Sequence, residues 1–218
     1  MELKKLGDKA IILEWESGSK VELLQKISAF RRIISGTFDQ VVDLVPAYNS
    51  LTIIYHSKVN FSEESLKIRE IKFKTLNAKT RQSHKLPICF EMDSDIAYIA
   101  ENCKLSVHEV QERFVKNTYK VHFIGFLPGF PYMSGLDENL HVPRLTNPRA
   151  SVRKGSVAIT GDQVGIYPQE SPGGWRIIAH CPTTLFDPGS ENPALLHAGD
   201  DLTFYPVSRS TFSKMENE

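Results

Sequence analysis

From residue 119 onward the chain is a series of short β-rich runs, each closed off by glycine or proline: YKVHFIGF, SVAITG, VGIYP, WRIIAH and DLTFYPV. Runs this short, spaced by turn residues, fit an all-β barrel or sandwich. The loops between such strands are the natural place for function, because the strands themselves are occupied with making the core.

The residues before this region follow other rules. An apolar run at 10–15 reads as a strand and Ser17-Gly18-Ser19 ends it. Ser19 and Glu22 fit a capping box, in which hydroxyl and carboxylate each satisfy a free backbone N–H. Leu23, Ile27, Phe30 and Ile34 then recur at helical spacing, and Gly36 stands where a helix C-terminal glycine belongs. Residues 38–45 and 51–55 read as strands, and Ser62 as the cap of a second helix carrying Leu66, Ile68 and Ile71. The order β-α-β-β-α predicts a split βαβ unit. Residues 72–85 are polar and mildly basic, and the domain boundary is expected there, near 76–86. The expected division is a small α+β domain over 1–80 and a mainly β barrel domain over 81–218. The second domain opens with a strand at 86–90 and two short helices, 95–103 and 107–116. Ser106 and Glu109 form a second capping box, with Val107, Val110 and Phe114 on one face.

Charge and composition narrow the function. The chain has 26 basic and 26 acidic side chains, so no whole-chain positive field drives nucleic-acid binding. No apolar run approaches the ~18 residues that would span a bilayer, and the opening residues lack the apolar core of a signal peptide. Three widely spaced cysteines do not make a disulfide framework. A cytoplasmic protein without nucleic-acid or membrane partners is expected. No metal-ligand spacing and no Walker loop, G-x-G-x-x-G, G-x-S-x-G or H-E-x-x-H is present, so no catalytic residue is assigned. Asn60-Phe61-Ser62 matches a glycosylation sequon by chance in such a compartment.

Two loops are candidates for a site. The first is Gly125-Phe126-Leu127-Pro128-Gly129-Phe130-Pro131-Tyr132, with Pro128-Gly129 suited to the centre of a type II turn. It reads either as a tight barrel turn with its rings in the core or as an aromatic wall for a flat ligand. The second is Ser171-Pro172-Gly173-Gly174-Trp175, where Pro172-Gly173 suits the same turn and Gly174 permits close backbone approach. Between them Arg144, Arg149, Arg153 and Lys154 gather in a turn-rich stretch able to capture an anion. Strand alternation places Trp175, Ile177, Ala179 and Cys181 on one face and Arg176, Ile178 and His180 on the other. His180 and Cys181 therefore do not form a nucleophile–base pair. Cys181 reads as buried, while Arg176 and His180 either meet a ligand or face solvent.

GFLPGFPYMSGL, VPRLTNPRASVRKGSVAITGDQVGIYP and SPGGWRIIAHCPTTLFDP resemble the signature stretches of the allophanate hydrolase subunit 1 family. That family includes the B subunit of prokaryotic 5-oxoprolinase, the Kip-type inhibitor of a sporulation histidine kinase, and half of the carboxyltransferase domain of biotin-dependent urea carboxylase. The resemblance implies a small α+β domain followed by a cyclophilin-like β-barrel. It also implies a heteromeric complex with a subunit 2 protein (Kip A-like, the oxoprolinase C subunit) and with the oxoprolinase A subunit. The implied activity is ATP-dependent cleavage of 5-oxo-L-proline to L-glutamate, with ATP handled by the complex and little activity in this chain alone. Matched by motif position, Arg144, Arg149, Tyr132, Ser171, Gly173, Gly174, Trp175, Arg176 and His180 are implied substrate-binding residues. Gly125, Phe126, Pro128, Gly129, Phe130 and Pro172 form the loops, and Pro148, Tyr167 and Pro168 also match. Ala179-His180 stands where the family usually has Gly-Arg, and Arg153-Lys154 where it has Pro-Ala.

Overall fold

The computed structural model describes residues 1–72 and 82–216. The chain divides into two compact units, Met1–Thr80 and Arg81–Glu218. Most of the expected boundary stretch, residues 73–81, lies outside the described residues.

The first unit holds β1 (Glu2–Leu6), β2 (Ala10–Glu14), α1 (Lys20–Thr37), β3 (Val41–Pro46), β4 (Ser50–Tyr55) and α2 (Phe61–Arg69). The sheet order is β1-β2-β4-β3, with every neighbouring pair antiparallel. Strands β2 and β3 flank β4 and so run parallel to each other, with α1 between them in sequence, which is the expected split βαβ unit. Both halves of the Ser19–Glu22 capping box form, and Leu23, Ile27, Phe30 and Ile34 are buried against the sheet. Three expectations change. Strand β1 carries no clear sequence signal, because Leu3 is its one buried residue and Lys4 and Lys5 give it the charged character of an edge. Gly36 lies inside the last turn of α1, and Phe38 caps the helix in an extended conformation. Asn60, not Ser62, caps α2, accepting the Glu63 N–H.

The second unit begins with β5 (Ser83–Ile88), α3 (Ile96–Cys103), α4 (Val107–Lys116), β6 (Tyr119–Ile124) and β7 (Pro131–Ser134). It continues through β8 (Arg149–Val152), β9 (Ser156–Thr160), β10 (Gln163–Ile166), β11 (Ser171–Gly173), β12 (Arg176–His180), β13 (Asp201–Pro206) and α5 (Arg209–Glu216). Strand β5 starts inside the stretch that reads as linker. Its polar residues pair with β13 through a parallel backbone ladder, which side-chain patterning does not report. Seven strands form one sheet in the order β12-β9-β10-β7-β6-β13-β5. Its two edges meet where Cys89 and His180 exchange backbone hydrogen bonds of 2.8 and 2.9 Å, which closes the sheet into a barrel. An α+β unit followed by a barrel is therefore the architecture, as expected. The barrel core is apolar and includes Phe114, Tyr119 and Phe204, whose ring centroids lie 5.2–5.3 Å apart. Strands β8 and β11 pair outside the barrel sheet and carry two of the candidate segments.

Candidate functional site

The loop after β6 is built from two tight turns. Leu127 N–H donates to Gly125 O at 2.8 Å, a three-residue turn centred on Phe126, whose φ is +68°. Phe130 N–H then donates to Leu127 O at 3.0 Å across Pro128-Gly129, and Gly129 has φ +82°, as the expected type II turn requires. Gly129 is also pressed against a neighbouring segment, since a Cβ there would lie 2.6 Å from Phe186 Cβ. Gly125 N–H closes the loop on Phe130 O at 3.1 Å.

The second loop departs from its expectation. Ser171-Pro172-Gly173 is a strand, β11, paired with β8, and neither Gly173 nor Gly174 has a positive φ. Glycine is required at 173 for space: a Cβ there would stand 2.3 Å from the Tyr167 hydroxyl. Gly174 has room, its nearest neighbour being Pro148 at 3.5 Å. The Gly174 carbonyl accepts Leu145 N–H at 2.7 Å, which ties the arginine stretch to this loop. Ser171 is buried and its hydroxyl donates to the Pro172 carbonyl.

The two loops converge on one aromatic cluster outside the barrel core. Phe130 stands at its centre, with Tyr132, Phe126, Tyr167 and Trp175 rings edge-on at 5.0, 5.5, 5.3 and 5.6 Å. Gly165 forms the floor, because a Cβ there would lie 2.4 Å from the Phe130 ring. The reading of the first loop as a barrel turn with its rings in the core holds for one ring and not for another. Phe130 is core, whereas Phe126 remains 60% exposed above it. Burial raises the Tyr132 and Tyr167 phenols above their usual range, and the positive charge of Arg144 opposes that rise in both.

The arginine stretch separates into different environments. Arg144 is exposed and forms no ion pair among the described residues. Arg149 Nη2 donates to Asp95 Oδ1 at 2.7 Å, and the same carboxylate takes the Ile177 N–H on its other oxygen at 2.7 Å. Arg153 turns to Glu216 and the Phe212 ring of α5, and Lys154 reaches Thr184, so neither joins the site. Arg176 lies 3.6 Å from the Tyr98 ring centroid and 3.8 Å from Asp95, with its Nε buried and unpartnered. A bulge between Ile177 and Ala179 breaks the expected alternation of β12. Trp175 and Ile177 join the aromatic cluster, while Ala179 and Cys181 enter the barrel core. His180 is buried rather than turned to solvent, and its Nδ1 has no partner among the described residues. Burial, then the Arg153 charge, lowers its pKa to about 4.

Nothing in the sequence singles out Asp95. An aspartate directly before a helix reads as a cap, yet its side chain makes no cap bond and holds Arg149 instead. An open cleft of about 690 Å³ in the first unit, lined in part by Tyr55, Glu63, Glu64 and Lys67, contains none of the sequence-derived candidates. Within it Lys67 pairs with both Glu63 and Glu64. The convergent loops, which present an exposed, unpaired guanidinium at Arg144 and an exposed ring at Phe126, are the better candidate site.

The model for the carboxyltransferase domain, subdomain C and D, matches residues 1–196. The 5-oxoprolinase B subunit of Escherichia coli O157:H7 is 34% identical over 206 residues, covering 92% of this chain and 94% of that protein. The 5-oxoprolinase B subunit of Bacillus subtilis is 30% identical over 234 residues, covering 100% and 97%. Among solved structures, the urea amidolyase of Kluyveromyces lactis superposes with a TM-score of 0.82 at 20% identity, a likeness of fold. It takes in 97% of this chain and 15% of that one. Among the described residues, no helix is long and apolar enough to cross a membrane.

Proposed function

Because the chain belongs to the carboxyltransferase subdomain C and D family, together with the B subunits of 5-oxoprolinase, we propose that it is the B subunit of a heteromeric, ATP-dependent 5-oxoprolinase. The observation that carries this reading is the end-to-end match with the Escherichia coli protein. In the reaction, water is added across the lactam C–N bond of 5-oxo-L-proline. The carbonyl carbon becomes a carboxylate and the ring nitrogen leaves as the amino group of L-glutamate. The lactam is stabilised by resonance, so coupling to conversion of ATP to ADP and phosphate supplies the driving force.

This chain's part is to bind and orient. Arg144 offers a charge-assisted contact for the substrate carboxylate, and the aromatic cluster offers a flat, rigid wall that fixes the ring against it. Arg149 is paired with Asp95, a carboxylate that Arg176 also approaches, and holds the β8–β12 frame. One exposed, unpaired guanidinium suits a single carboxylate better than a triphosphate, so the nucleotide and the catalytic groups are assigned to the A and C subunits. The chain alone should have little activity.

Co-expression with the A and C subunits tests the reading. Glutamate release and ADP formation should both depend on 5-oxoproline and require all three chains. Robust glutamate formation by this chain alone would overturn the shared site. An inactive three-chain complex, with this chain instead binding a histidine kinase, would overturn the oxoprolinase reading.

A further inference from the structure

Two non-glycine residues among those described have positive φ, Lys104 and Phe126. Lys104 is the left-handed residue that ends α3, an ordinary place for that conformation. Phe126 is different. It occupies the centre of a three-residue turn at φ +68°, where a bulky side chain is strained and glycine is not. The loop uses glycine at 129, where the backbone makes a similar demand. Nor does burial compensate, for the ring is 60% exposed and meets only the edges of Phe130 and Tyr167, at 5.5 and 6.4 Å. A strained backbone that presents an exposed ring marks a ring used by something outside the fold.

The surroundings define what that is. Tyr132 stacks on Phe123 at 4.4 Å and stands edge-on to Phe130 and Trp175. Arg144 is exposed, and the neighbouring Leu145 N–H fixes its loop to Gly174. The Arg144 charge acts on both phenols of the cluster. The exposed Phe126 ring together with one unpaired cation complements a small flat anion.

We propose that Phe126 is a ligand-contacting ring, held out by its strained turn so that a small planar carboxylate lies against Phe126 and the edge of the half-buried Tyr132 with its charge toward Arg144. The proposal rests on the functional reading above and deepens it, since 5-oxoproline is a near-planar five-membered ring bearing a carboxylate. The ring does not act in proton transfer. It sets where the ligand lies.

The test uses the full chain, alone and assembled with the A and C subunits, titrated with pyrrole-2-carboxylate, with pyrrole and with 5-oxo-L-proline. Pyrrole-2-carboxylate should bind saturably in the assembled form, and pyrrole at least tenfold more weakly, roughly the worth of one charge-assisted contact. Phe126→Gly should weaken the carboxylate about tenfold, the scale of one lost aromatic contact, while its thermal midpoint stays at or above that of the parent. Phe126→Tyr should restore most of the affinity. Unchanged affinity in Phe126→Gly, or no binding of pyrrole-2-carboxylate in either form, overturns the proposal. So does a Phe126→Gly chain that binds the carboxylate normally but no longer assembles, since the ring would then be a docking anchor for a partner chain. If pyrrole-2-carboxylate binds as described while 5-oxoproline neither binds nor turns over, the site stands and the oxoprolinase reading fails.

Discussion

Arg149 Nη2 meets Asp95 Oδ1 at 2.7 Å, and this one contact joins the start of α3 to strand β8. The carboxylate is 11% exposed and the guanidinium 34%. Asp95 also exchanges backbone and side-chain hydrogen bonds with Ile177 of β12, each 2.7 Å. Removing the carboxylate strands both a half-buried cation and a strand N–H. Asp95→Ala should therefore lower stability by about 2–4 kcal/mol in chemical denaturation. A loss below about 0.5 kcal/mol, the range of an ordinary surface change, would refute the pinning role.

The two arginines should part company in a way that sequence alone does not reveal. Arg149→Ala should cost roughly 1–2 kcal/mol of stability, because it breaks a partly buried pair. Arg144→Ala should stay within about 0.5 kcal/mol, since its side chain is exposed and unpaired. In the assembled complex, however, Arg144→Ala should raise the KM for 5-oxoproline by roughly tenfold, the scale of a lost charge-assisted contact. Denaturation midpoints and substrate titrations on the same preparations separate the two effects. Equal stability losses, or wild-type kinetics for Arg144→Ala, would count against this division.

The glycines of the second loop should also diverge. Gly173→Ala drives a methyl into the Tyr167 hydroxyl and should cost about 1–3 kcal/mol by overpacking. Tyr167→Phe removes the nearest of the clashing atoms, so the same substitution in that background should cost less. Gly174→Ala should be nearly silent, within about 0.5 kcal/mol, because its site is open and its φ is not positive. Melting curves of these chains decide the matter. A large loss at Gly174 and none at Gly173 would reverse the argument.

What can be read in the sequence is what local chemistry determines. Ser19 with Glu22 and Ser106 with Glu109 announce their helices because a capping box is settled within four residues. Pro128-Gly129 announces its turn for the same reason. Helix ends can still slip by a residue or two, as Asn60 in place of Ser62 shows, but at the site the failures come from elements that the local segment does not contain. Pro172-Gly173 straightens into a strand because it pairs with β8, which lies well upstream at Arg149–Val152. Asp95 finds Arg149 54 residues away, so a cap is the natural reading of it. The bulge at Ile177–Ala179 sends two halves of one alternating run into two different cores, and alternation alone has no signal for it. The site is legible as two loops. Which basic side chain it keeps free is decided by Asp95, Glu216 and Thr184, which lie outside those loops.

His180 gives the fold a pH limit. Burial, with the Arg153 charge adding to it, lowers its pKa from 6.5 to about 4, and Asp93 and Glu216 only partly oppose this. Above about pH 6.5 the imidazole is neutral in folded and unfolded chains alike, and the contribution to stability is complete. Below that, the unfolded chain takes up a proton that the folded chain refuses. Stability should then fall by up to ~1.4 kcal/mol per pH unit until the folded pKa near 4, about 3 kcal/mol in all. Other histidines and carboxylates titrate in or near this window, so the informative quantity is the difference from a chain that lacks the group. His180→Gln keeps a polar side chain of similar size and cannot titrate. Urea midpoints measured from pH 7.5 to 4 should converge for the two chains, with the parent losing more stability as the pH falls. Parallel curves across that range would mean that folded and unfolded chains protonate His180 alike, and that its burial places no limit on the fold.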